Sequence, residues 1–110
     1  MRSGYRLALC NLPDQDSARR IAGLLVDRAL AACVNIVPGI ESVYYWQGAV
    51  ESATEWLLVI KTDDRHWDAL QQLISEQHPY EVPEIISLPV DKGLPAYLEW
   101  MQDSLDRKPD

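Results

Sequence analysis

A thiol and an imidazole offer this 110-residue chain its richest chemistry: Cys10, in a first β-rich run, and His78, directly before Pro79. A thiolate with an imidazole suits copper or zinc, and Asp14, Glu81 or Glu84 could complete a coordination shell around them. The same pair could act as nucleophile and base, with Glu81 as orienter. That enzymatic reading is the weaker one, because the five glycines are scattered and no glycine-rich elbow or oxyanion hole is evident. Cys10 also alternates in phase with Ala8, so a buried thiol packed as a small hydrophobe is the competing role. Cys33 is placed at the opposite end of the sheet from Cys10, beyond disulfide reach, and reads as core. His66, beside Asp63 and Asp64 at a helix start, reads as a solvated or capping side chain.

These residues need elements to position them. Tyr5 to Asn11 reads as a first strand, stopped by Pro13-Asp14, and Asp14 or Asp16 can cap a helix whose Ala18, Ile21, Ala22, Leu25 and Ala29 share one face. A long strand follows from about Ala32 to Trp46, kinked at Pro38-Gly39. Gln47-Gly48 turns it into a third strand, weak at Glu51-Ser52 and firm from Glu55 to Lys61. Thr62-Asp63-Asp64 offers an N-cap to a second helix, with Trp67, Leu70, Leu73 and Ile74 facing inward and Pro79 ending it. Two close prolines, Pro79 and Pro83, hold an extended loop that leads into a fourth strand over Ile85 to Val90. Pro95 starts a last helix with Leu94, Tyr97, Leu98, Met101 and Leu105 on one side.

The order β-α-β-β-α-β plus a helix predicts an α+β fold, the split β-α-β sheet of ferredoxin-like domains, as one domain over residues 1–110. In that topology the first and fourth strands are neighbours, which brings Cys10 and His78 to one edge. The long strand carries large side chains on both faces, Tyr44 and Trp46 on one and Val43 and Tyr45 on the other, and so needs two covering layers. A chain this short has its own helices for one layer only, and a partner subunit is the economical supply for the second. Four Trp, five Tyr and no Phe fit interface use.

The net charge of -7 and the lack of any basic run leave no footprint for nucleic acid, and argue against base stacking on Tyr44-Tyr45-Trp46. No stretch approaches a membrane span, and the expected compartment is the cytoplasm, where Cys10 and Cys33 stay thiols. Gly93 lacks the companions a phosphate loop would need.

Two stretches go beyond pattern. Ala31-Ala32-Cys33-Val34-Asn35 through Pro38-Gly39 to Tyr44-Tyr45-Trp46-Gln47-Gly48, and His78-Pro79-Tyr80-Glu81-Val82-Pro83-Glu84 running into Leu88-Pro89-Val90, resemble CutA-type divalent-cation tolerance proteins, as does Tyr97-Leu98-Glu99-Trp100. The resemblance implies a cytoplasmic homotrimer similar to that of PII signalling proteins, with no settled catalytic activity and a link to tolerance of copper and other divalent cations. Tyr44, Tyr45, Trp46 and Trp56 are then the expected intersubunit contacts. It also implies copper ligands at Cys10 and His78, although Gln77 stands where such proteins carry a second histidine, and glutamine is a poor ligand for a soft metal. The alternative role is a PII-like sensor that binds a small effector in clefts between subunits.

Overall fold

In the computed structural model, which describes residues 4–109, Tyr5–Leu12 forms β1. Its alternation is expressed directly: Ala8, Cys10 and Leu12 are wholly buried, while the residues between them are half covered. Asp14 then caps α1 (Gln15–Asp27) by accepting the Ser17 backbone N–H at 2.7 Å, a bond that holds the Asp14 carboxyl below the usual carboxylate range. Ala18, Ile21, Ala22 and Leu25 are the stripe this helix buries against the sheet.

β2 (Cys33–Trp46) and β3 (Ala49–Asp63) form an antiparallel hairpin. Gln47 and Gly48 both have positive φ, 47° and 84°, the pattern of the two-residue turn whose twist matches that of paired strands. The register slips between Val37 and Ile40, so Pro38 and Gly39 form the expected kink as a bulge, with Gly39 at φ 67°. Glu51 and Ser52 are not weak: the tight turn fixes them opposite Tyr44 and Val43, and β3 runs unbroken from Ala49.

Asp63 caps a short 3-10 turn (Asp64–His66) that feeds α2 (Trp67–Gln77), where Leu70, Leu73 and Ile74 are buried. β4 (Ile86–Pro89) is shorter than the expected Ile85 to Val90, since Ile85 instead packs against the core. The last helix, α3 (Pro95–Leu105), buries only Met101 and Leu105 of its expected stripe, while Leu94 and Tyr97 stay exposed. It packs against Ala32 and Tyr5 in a small separate cluster, a surface too narrow to cover the whole stripe.

The strands lie in the order β2-β3-β1-β4, the ferredoxin-like arrangement, with β1 antiparallel to both neighbours. Its two faces differ sharply. Ala8, Cys10, Leu58 and Ile60 meet α1 and α2 in the main core. On the other face Leu9 pairs with Val59 and Ile86, and Leu7 with Leu88; Ile86 and Leu88 are 53% and 54% exposed.

Candidate functional site

β1 and the segment after α2 meet as the topology demands, and the meeting point is the carbonyl of Asn11. His78 Nε2 lies 2.7 Å from that oxygen, and the Cys10 Sγ approaches it at 3.9 Å. The other ring nitrogen, Nδ1, accepts the Tyr80 backbone N–H at 3.0 Å. Nδ1 must therefore be the bare nitrogen and Nε2 the donor, so His78 is neutral and both its nitrogens are engaged. The residue is only 8% exposed. Burial, with Glu84 and Glu55 adding negative charge nearby, pushes the Cys10 thiol up to about 12.

The predicted pair is thus brought together, but it does not fit a metal ion in this arrangement. The thiol resists ionisation, the imidazole has no lone pair to spare, and among the described residues no three His, Cys, Asp or Glu side chains converge on one point. The same features withhold a nucleophile and a base. The position before His78 is also occupied: Arg20 donates to Gln77 Oε1 at 2.7 Å and to its carbonyl at 3.1 Å, tying α1 to the end of α2. A Cys33→Ser variant, which leaves Cys10 as the only thiol, is expected to react with Ellman's reagent at least about tenfold more slowly when native than when unfolded in urea, because its sulfur is wholly buried and burial raises its pKa. Fast native labelling would show the thiol to be open.

Cys33 is not core. It pairs with Lys61, on the face of the sheet opposite Cys10, and is half-buried with Lys61 Nζ 3.9 Å from its sulfur. The misreading has a plain cause, since Val34 and Ile36, the alternate residues, are the ones packed against the core. His66 sits partly exposed at the N-cap position of α2, where its Nδ1 lies 2.6 Å from the buried Asp63 carboxylate, which also holds Arg65.

Three residues that sequence reasoning passed over build a groove beside His78. Glu55 is a 7% exposed carboxylate whose Oε2 accepts the Tyr80 hydroxyl at 3.0 Å and whose Oε1 lies 3.5 Å from Asn11 Nδ2. Burial and this bond push the Tyr80 phenol up to about 12. Tyr44 and Trp46 project from β2 on the same face as Glu55 and complete the groove with Glu81 and Glu84. The available signal was Glu55 itself, an acid leading an otherwise apolar run and alternating away from Trp56. Tyr45 is exposed on the other face of the hairpin, and Trp56 lies half-buried against the chain's own core.

Residues 6–104 match the family model described as "CutA1 divalent ion tolerance protein". The chain is 44% identical to the divalent-cation tolerance protein CutA of Pectobacterium atrosepticum over 97 residues, which is 88% of each chain. It is 48% identical over 93 residues to the chloroplastic CutA 1 of Oryza sativa, covering 84% of this chain but 52% of that one; it spans about half the length of such plant relatives. The crystal structure of CutA from Xylella fastidiosa superposes with a TM-score of 0.92 at 41% identity, over 94% of this chain and all of that one. With the β2-β3-β1-β4 sheet, the bulge at Pro38-Gly39 and the Gln47-Gly48 hairpin in place, these matches show that the chain belongs to the CutA1 divalent ion tolerance family.

Proposed function

We propose that this protein serves divalent-cation tolerance as a homotrimer, and that its action on the ions is a property of the assembly rather than of a Cys10–His78 chelate. The observation that carries this is the uncovered sheet. Ile86, Leu88, Tyr44 and Trp46 stand exposed on the face away from the helices, and Val43, Tyr45 and Val50 on the other face of the projecting hairpin, so large apolar side chains are left uncovered on both sides of the sheet. A bound cation, copper included, is then held weakly, near a subunit boundary. The family is described by ion tolerance and not by a reaction, and no enzymatic step is assigned. No helix among the described residues is long and apolar enough to cross a membrane. The cytoplasm is the compartment proposed, because it keeps two unpaired thiols reduced.

Sedimentation at micromolar concentration is expected to give three times the 12.5 kDa chain mass. Copper(I) titration of the trimer is expected to show affinities that Cys10→Ser leaves unchanged. A stable monomer would remove the assembly, and a large loss of copper affinity in Cys10→Ser would restore the chelate.

One observation favours a second reading, a sensor of small effectors. The groove at Glu55 is about 890 Å³, the size of a small-molecule site. A thermal-shift screen of nucleotides, metals and small organic ions tests this reading, and stabilisation by an organic ligand but not by metals supports it.

A further inference from the structure

Lys61 and Cys33 stand opposite each other on β3 and β2, on the face of the sheet away from Cys10, and Lys61 Nζ comes within 3.9 Å of the Cys33 sulfur. Two nucleophiles therefore share one spot on the sheet. Cys33 is a free thiol, half-buried, and Lys61 is half-buried beside it, with its Nζ 5.6 Å from the centre of the Tyr97 ring on α3. Among the described residues no carboxylate lies within ion-pair distance of Lys61, so no salt bridge keeps its amine from turning toward a group carried on that sulfur. The pair sits at the start of β2, the end remote from the hairpin, where α3 of the same chain supplies the cover by packing Met101 and Leu105 with Ala32. β3 and β1 separate Cys33 from the exposed Ile86 and Leu88 of β4. The other two lysines, Lys92 and Lys108, lie outside the strands and helices and are exposed, while Cys10 is buried on the opposite face. Exposure alone favours acylation of Lys92 and Lys108. A neighbouring thiol favours Lys61, because an amine attacks an acyl group held beside it far faster than one met by diffusion.

We propose that Cys33 and Lys61 form an acyl-relay site at which thioesters, the class that includes acyl-coenzyme A, leave their acyl group on Lys61. The Cys33 thiolate attacks the thioester carbonyl: its sulfur–carbon bond forms, the donor's sulfur–carbon bond breaks, and the donor thiolate takes up the proton that Cys33 released. The uncharged amine of Lys61 then attacks the same carbon. The nitrogen–carbon bond forms as the Cys33 sulfur–carbon bond breaks, and a proton from the nitrogen passes to the freed sulfur. One thioester and one amine become one thiol and one amide, Cys33 is regenerated, and no oxidant is needed. The amide removes the positive charge of Lys61 and with it the attraction to the Tyr97 ring of α3. The site is independent of both the cation and the effector readings.

The test incubates the intact protein with acetyl-coenzyme A and follows acetylation lysine by lysine with peptide mass spectrometry. Lys61 is expected to gain acetyl at least about fivefold faster than Lys92 and Lys108 in spite of its lesser exposure, and Cys33→Ser is expected to bring it to their rate or below. The N-hydroxysuccinimide ester of acetic acid, which acylates amines directly, should label Lys61 equally in the parent and in Cys33→Ser, showing fold and access unchanged. Lys61→Arg should leave the acetyl group on Cys33 as a hydroxylamine-labile thioester. Equal thioester rates at the three lysines, or an unchanged Lys61 rate in Cys33→Ser, would overturn the proposal. It also falls if both reagents slow alike in Cys33→Ser, which makes the effect one of access, or if neither reagent reaches Lys61 in the intact oligomer.

Discussion

Replacing His78 with alanine is expected to lower the unfolding free energy by about 1–3 kcal/mol, because two part-buried main-chain groups lose their partners at once. The Asn11 carbonyl loses a donor at 2.7 Å and the Tyr80 N–H loses an acceptor at 3.0 Å, both supplied by a side chain that is itself 8% exposed. The ring also packs on Tyr80 at 5.0 Å between centroids, so its loss frees the phenol that Glu55 holds. Urea or thermal unfolding at fixed chain concentration measures the effect, since the proposed assembly would make stability concentration-dependent. Cys10 should become easier to label in the same variant, because local opening of the 78–84 segment exposes its strand end. A residue kept for metal binding behaves otherwise: its removal lowers ion affinity and leaves the metal-free protein as stable as before. A metal-free loss below about 0.5 kcal/mol, the ordinary range of a surface change, would refute the structural role assigned to His78.

Much of the fold was legible because it is written in local chemistry. Asp14 caps α1, Asp63 caps the turn before α2, and Pro38-Gly39 and Gln47-Gly48 take the bulge and the hairpin turn, each through neighbours a few residues away. The order of elements then left one sheet topology, and with it the meeting of Cys10 and His78. What sequence could not supply was the partner of each polar atom across that meeting. His78 is satisfied by a carbonyl 67 positions earlier, and a main-chain acceptor leaves no mark on residue types. Gln77 was visible only as a missing ligand, whereas its contact with Arg20, 57 positions away, gives it a structural task. Cys33 failed for a different reason. Both faces of β2 carry apolar residues, so periodicity gives two phases without saying which one meets the helices.

The same two-sided pattern leads to the largest effect expected in this protein. Trp46→Ala should weaken the proposed trimer by about 2–4 kcal/mol at each subunit contact, the cost of truncating a central aromatic anchor, and the three contacts of one particle compound it to about 6–12 kcal/mol. Trp46 is 59% exposed in the single chain and Tyr45 is 72% exposed, on opposite faces of a hairpin whose tip is stiffened by its two-residue turn. Rigid exposed aromatics lose little side-chain entropy when covered, which is why they make strong contacts. Sedimentation over a dilution series should therefore show parent trimer persisting at concentrations where Trp46→Ala has dissociated. Trp46 also lines the Glu55 groove, so this variant alone does not separate assembly from ligand binding. Tyr45→Ala does, because Tyr45 points to the other face: it should loosen the trimer at unchanged circular dichroism while leaving Tyr44, Trp46, Tyr80 and Glu55 in place. If both variants sediment and melt as the parent does, the hairpin is not an anchor, and the covering of the open sheet must come from β4 and its exposed Ile86 and Leu88 instead.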